Sequence, residues 1–177
     1  DCAFLDRPPK VRKLKEPKNP PLGLMVDEFA AVLQVAEQWK RPIAGVPGPV
    51  WLRALLLTDW ETGLRCRALL SILTVDFLPD SGGLLSRGVD AKDDEGQWFP
   101  LPPHTIAAIQ AIVDPRERLL FHPGVTPETV GRWFRKLLDQ SDIYAPKGAG
   151  MRWHRVRKSK ASYTEAAGGD AQAALGH

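Results

Sequence analysis

The sequence predicts a mainly helical α+β domain with one small three-stranded antiparallel sheet. Three observations predict it. Apolar residues recur at helical spacing over most of the chain, in segments parted by proline and glycine. Only the middle breaks this rhythm, where three short runs rich in β-formers are separated by turn sequences. The 177 residues, 44% hydrophobic and 25% charged, suit one ordinary globular domain.

Asp27–Trp39 places Phe29, Val32, Leu33, Ala36 and Trp39 on one stripe, with Asp27 and Glu28 where a helix dipole favours acids. Arg41–Pro49 reads as a loop. Val50 to about Thr62 is apolar nearly all round, the mark of a central helix. Gly63 stops it, and Leu64–Leu73 starts another helix with Arg65 at the turn. That arginine either pairs with Glu61 or Asp59, or faces an anion over a helix start.

Strands are expected near residues 75–78, 84–89 and 96–100, joined by Pro79–Gly83 and by Ala91–Gly96. Lys92 sits in the second turn beside Asp93, Asp94 and Glu95, a pattern usual for solvated surface. Pro103–Val113 and Thr126 to about Gln140 are the next helices, the second with Thr126 as N-cap and Pro127 at its first position. A last helix should run from about Trp153 to Ala167 and end at Gly168-Gly169.

Charge is unevenly spread. The net charge is only +3, with a pI near 9.0, so local clusters matter more than the total. Residues 1–25 form a proline-rich basic arm, either an interdomain linker lying on nucleic acid or a solvated tail. Its abrupt start suggests a preceding segment in the parent protein. Lys147 to Lys160 is basic throughout, without an acid. There His154 and Arg157 share a helix face, and an imidazole donor beside a forked guanidinium suits a phosphate. The same run would also serve as a plain solvated anion patch. No apolar run is long enough to span a bilayer, and no signal peptide is visible. Cys2 and Cys66 have neither metal nor disulfide-framework spacing, so a reduced intracellular compartment is expected.

In order along the chain, four segments resemble boxes of the tyrosine recombinase, or phage-integrase, catalytic domain. Thr62-Gly-Leu-Arg65 is similar to the first-arginine box. The strands with Lys92 in their turn, leading to Phe99-Pro-Leu101, are similar to the β-hairpin lysine region. His154-Arg-Val-Arg157 resembles the His-x-x-Arg box. Gly168-Gly-Asp170 through Leu175-Gly-His177 resembles the segment near the end of the domain. The resemblance runs from about Val26 to His177, so residues 26–177 would be the catalytic domain.

The resemblance implies a site-specific recombinase that cuts and rejoins DNA through a 3′-phosphotyrosine. Arg65 and Arg157 would clamp the non-bridging oxygens of the scissile phosphate. His154 and His177 would donate hydrogen bonds to it. Lys92 would protonate the departing 5′ oxygen. Lys10, Arg12, Lys13, Arg152, Arg155, Lys158 and Lys160 are the expected contacts to DNA backbone. No metal and no other cofactor is implied. The partners are double-stranded DNA and further copies of the protein, with no membrane, and the compartment is the cytoplasm, on the nucleoid.

Two departures from the family pattern stand out. Ala68 replaces a carboxylate common three residues after the first arginine, leaving Asp76 or Glu61 to brace Arg65. The family's tyrosine lies beyond the Leu-Gly-His segment. Tyr144 and Tyr163 precede it, so neither is assigned as nucleophile and the chain reads as a fragment lacking that tail. Competing readings are a recombinase-derived module that binds DNA without chemistry, a type IB topoisomerase, and a helical regulator whose basic helix grips phosphates. The last predicts that Arg65, Lys92 and His177 do not converge.

Overall fold

The core is built on α2 (Gly48–Thr62), which is buried on almost every side. Trp51, Leu52, Ala54, Leu55, Leu56 and Leu57 are all at most 5% exposed. Burying each of the larger side chains is worth about 1.5–3 kcal/mol, so this one helix contributes a large share of the cohesion. A computed structural model describes residues 23–87, 96–121, 124–143 and 153–175. Most of the arm, Lys92, Arg152 and His177 lie outside the described residues.

Around α2 pack α1 (Val26–Ala36), α4 (Pro103–Gln110) and α6 (His154–Ala166). Helix α5 (Pro127–Gln140) rests on α1 and on the short α3 (Cys66–Leu70). Its start is the expected one: the Thr126 hydroxyl accepts from the Thr129 N–H, with Pro127 next in line. The strands β1 (Phe77–Leu78), β2 (Gly83–Ser86) and β3 (Gln97–Pro100) form an antiparallel sheet in chain order. Phe77 faces Leu84, which in turn faces Phe99, so one apolar row crosses the sheet.

Several elements are shorter than the pattern suggests, each for a local reason. Helix α3 ends at Leu70, not Leu73, because the Ser71 hydroxyl bonds back to Ala68 O at 2.8 Å. The chain then turns to pair with residues 118–120, with Leu120 N on Ile72 O at 2.9 Å. Val75, expected in a strand, sits in a 3-10 turn and is 74% exposed. Its neighbour Asp76 is instead buried, gripped by the Arg87 guanidinium through contacts of 2.7–2.9 Å. Helix α1 stops before Trp39 and α4 before Val113.

Helix α6 matches its expected span and ends in a left-handed Gly168 at φ 78°. The short α7 (Ala171–Ala174) after it is an addition to the expected elements; Asp170 caps it by accepting from Gln172 N at 2.8 Å. The packed body also reaches back to Gly23. Leu24 is 2% exposed, and its N–H donates to the Ser159 hydroxyl of α6 at 2.6 Å. A side chain at Gly23 would run into Ser159. No described helix is long and apolar enough to cross a membrane.

Candidate active site at the Gly63 turn

The end of α2 and the start of α6 meet at Gly63. Its φ of 60° is left-handed, which ends the helix as its N–H bonds to Asp59 O at 2.7 Å. The missing side chain matters as much as the angle. A Cβ here would meet Leu175 Cδ2 at 2.8 Å and Lys160 Cβ at 3.1 Å. Only glycine lets α6 and the segment after it lie so close to the turn.

Arg157 closes this junction. Its Nη1 donates to Gly63 O at 2.6 Å across 94 residues of sequence, and its Nη2 donates to Leu175 O at 3.1 Å. One guanidinium thus ties together the first-arginine turn, the His-x-x-Arg helix and the Leu-Gly-His segment. Arg65 is exposed at the N-cap position of α3, its carbonyl taking the Leu69 N–H at 2.9 Å.

The three described members of the predicted site sense one another. Burial pulls the Arg157 pKa down, and the Arg65 charge pulls the same way. His154 is half-buried, and its pKa falls below the usual 6.5, first through desolvation and then through Arg157, Lys158 and Arg65. A neutral imidazole beside two guanidinium groups is a hydrogen-bond donor awaiting a negative partner. An arriving phosphate would relieve the repulsion between these cations.

Arg155 departs from the expectation of a DNA contact. It is 7% exposed, and its Nη2 lies 3.4 Å from Gly23 O and 3.8 Å from Glu28 Oε2. It faces inward because it lies two residues from Arg157, on the other side of α6. It fastens α6 to the start of α1 and is not presented to solvent. Lys158 and Lys160 remain partly accessible, Lys160 lying over Gly63. Of the two acids offered as a brace for Arg65, Asp76 belongs to Arg87 at the base of the sheet.

Among the described residues, two further groups near the turn could react, Cys66 and Tyr163. Burial, with Asp59 and Glu128 nearby, pushes the Cys66 thiol up to about 12, so it holds its proton at neutral pH. Tyr163 packs its ring against Trp60, centroids 5.8 Å apart, as a packing residue would.

Asp59 is the residue whose surroundings sequence reasoning missed. This acid of α2 is wholly buried, one turn before Gly63, and neither carboxylate oxygen has a hydrogen-bond partner. Burial raises its pKa well above 3.8, opposed by the Arg157 charge and the Trp153 indole. The Trp153 N–H is close enough to be felt but meets neither oxygen in hydrogen-bonding geometry. A carboxylate in the last turn of a largely apolar helix is the available signal. It points to Arg65 as partner, whereas Asp59 turns toward α6.

No protein-family model matches the sequence, and no curated protein matches it. Solved structures do. XerA recombinase superposes over 94% of this chain with a TM-score of 0.69 at 20% identity. A lambda integrase dimer bound to a COC′ core site superposes over 92%, with a TM-score of 0.64 at 22% identity. The Tn1549 transposon integrase in complex with transposon right end DNA does so over 93%, with a TM-score of 0.71 at 16% identity. The chain spans 58%, 59% and 60% of those three chains, respectively. At such identities the likeness concerns the fold: this chain has the fold of a tyrosine recombinase catalytic domain.

Proposed function

We propose that this domain cuts and rejoins a DNA strand, as the catalytic part of a site-specific recombinase. The observation that supports it most is the meeting of Arg65, His154 and Arg157 at the Gly63 turn, drawn from two distant parts of the chain. No packing need of the core requires three such groups to share one place. A phosphodiester does. Its transition state spreads negative charge over oxygens that fixed cationic donors stabilise.

In this reading Arg65 and Arg157 hold the non-bridging oxygens and His154 donates to one of them, with His177 as a further donor. A tyrosine hydroxyl, supplied from beyond His177, gives its proton to the neutral His154 imidazole as its oxygen attacks phosphorus. The P–O5′ bond breaks, and Lys92 gives its proton to the leaving oxygen. Rejoining is the reverse. Lys158, Lys160, Arg152 and the arm residues Lys10, Arg12 and Lys13 grip the backbone, and further copies assemble on the duplex.

The test uses the full-length gene product and a nicked duplex that traps the covalent state. A protein–DNA adduct resistant to denaturant is expected, and Arg157→Ala should abolish it while leaving much of the binding. A full-length protein that binds duplex but forms no adduct would instead favour a DNA-binding module. Relaxation of supercoiled plasmid without exchange between two sites would favour a topoisomerase.

A further inference from the structure

Helix α6 turns Arg157 toward Gly63, and its other side is fastened to the segment that leads into α1. Each helical residue advances about 100° round the axis, so Arg155 and Ser159, one turn apart, share a face that lies opposite Arg157. On that far face the buried Ser159 hydroxyl works in both directions. It donates to Arg155 O at 2.9 Å and accepts the Leu24 N–H at 2.6 Å, across 135 residues of sequence. Leu24 lies before α1, outside any helix or strand, so a side chain supplies the acceptor that regular structure does not. Arg155 Nη2 reaches Gly23 O at 3.4 Å and Glu28 Oε2 at 3.8 Å, and the same Oε2 takes the Met25 N–H at 2.8 Å. Residues 23–28 and one face of α6 thus form a single clasp.

A glycine borders α6 on each side. A Cβ on Gly23 would come within 2.9 Å of Ser159 N and Oγ, much as one on Gly63 would come within 3.1 Å of Lys160 Cβ. The helix has little room to move toward either neighbour. The margin at the Gly63 turn is small as well. Both Nη atoms of Arg157 meet backbone carbonyls, at 2.6 and 3.1 Å, and a shift of about 1 Å would break that fit.

We propose that Ser159 is a positioning residue for the phosphate clamp. By holding Leu24 on the back of α6, its hydroxyl sets the depth at which the helix sits against the Gly63 turn, and so where Arg157 and His154 stand. Gly23 and Arg155 complete the clasp. Gly23 follows the basic run of the arm in the chain, so the place where arm and body join is built into the support of the site. The role rests on the phosphate-clamp reading above, but its first test needs no DNA.

The measurement is the exchange with water of arginine Nε–H protons, read by nitrogen-labelled NMR on residues 1–177. Ser159→Ala removes the hydroxyl. Gly23→Ala keeps every hydrogen-bonding group but pushes the segment off α6. Ile109→Val trims the core on α4 and controls for lost stability alone. Arg87, held by Asp76, is the control within each protein. Each clasp variant should speed Arg157 exchange by roughly fivefold with Arg87 unchanged, and Ile109→Val should move neither. Where one clasp variant fails to fold, the other decides. Arg157 exchange within about twofold of the natural chain in a folded clasp variant, or equal acceleration in Ile109→Val, would overturn the proposal. In the full-length protein Ser159→Ala should slow adduct formation from bound duplex by roughly tenfold, with duplex affinity kept within about twofold. An adduct rate that stays at the natural value would make the clasp a structural fastening only and overturn the positioning. Loosened Arg157 in a protein that never forms an adduct would sink the clamp reading and keep the clasp's hold on α6. An adduct-forming protein whose Arg157 ignores both substitutions would do the opposite.

Discussion

Asp59 and Asp76 are both sunk out of water, at 0% and 3% exposure, yet they live in opposite circumstances. Asp76 accepts a bidentate grip from Arg87, both oxygens engaged at 2.7–2.9 Å. Asp59 faces donors and bonds to none of them. The first arrangement is what a structural acid looks like: desolvation is offset by charge-assisted hydrogen bonds, and the pair pins the base of a hairpin. The second leaves its acid under strain beside the candidate site. Burial alone therefore does not tell a well-paired carboxylate from a poorly accommodated one; the satisfaction of its oxygens does.

The largest expected effect tests the satisfied acid. Asp76→Ala removes both oxygens from Arg87 and should lower Tm by several degrees, loosening the pairing of β1 with β2 and β3. Thermal unfolding of residues 1–177 measures it. An unchanged Tm would place Asp76 with Asp59, as an acid the fold does not need.

The opposite sign is expected at Asp59. The folded protein holds this carboxyl's proton more tightly than the unfolded chain does, so the acid contributes stability at low pH. That contribution is lost as pH rises from the ordinary 3.8 through the raised folded value. Asp59→Asn should therefore raise Tm by a few degrees at neutral pH and by much less below pH 3.8. A lower Tm at neutral pH would mean that the acid is a net structural asset.

These two acids also show where sequence reading reaches its limit. The helices are legible because α2 is apolar on all faces, and because Thr126-Pro127 and Gly168 carry their own start and stop chemistry. The sheet order follows from turn residues between short apolar runs. The meeting of Arg157 with the Gly63 turn is legible only through the resemblance, since that hydrogen bond spans 94 residues and leaves no local period. The fate of each charge is not legible. Arg155 and Arg157 lie two apart in the same basic run, and only packing decides that one ties down Gly23 while the other faces Gly63. Asp76 reads as a brace for Arg65 because nothing in the chain announces Arg87 as its partner.

Gly63 connects the two halves of the candidate site, and Gly63→Ala should act on both. A left-handed φ costs alanine about 1 kcal/mol, and contact with Leu175 and Lys160 adds to it. A loss near 2 kcal/mol in urea unfolding is expected. The more informative consequence is geometric. Helix α6 must move off the turn, so the Arg157 Nε–H should exchange faster. Unchanged exchange would show that the Gly63 carbonyl is dispensable for holding the guanidinium.

The smallest effect concerns His154 and reports whether a phosphate enters among these groups. Its pKa is lowered by burial and by Arg157, Lys158 and Arg65, so the folded protein binds this proton less tightly than the unfolded chain does. The associated stability is fully present above about 6.5 and declines as pH falls through that value. A bound phosphate reverses the balance, because its negative charge neutralises the neighbouring arginines and favours the imidazolium. Binding must then take up a proton, and by linkage duplex affinity must rise as pH falls below about 6.5. Anisotropy titrations of a short labelled duplex at fixed ionic strength should show a gain of about two- to fivefold between roughly pH 8 and pH 5.5. Glutamine keeps an amide donor but has no titrating proton, so His154→Gln should flatten much of this slope and leave the salt dependence nearly intact. A slope that survives the substitution unchanged would assign the proton elsewhere and remove His154 from the phosphate's surroundings, leaving Arg65 and Arg157 as the described part of the clamp.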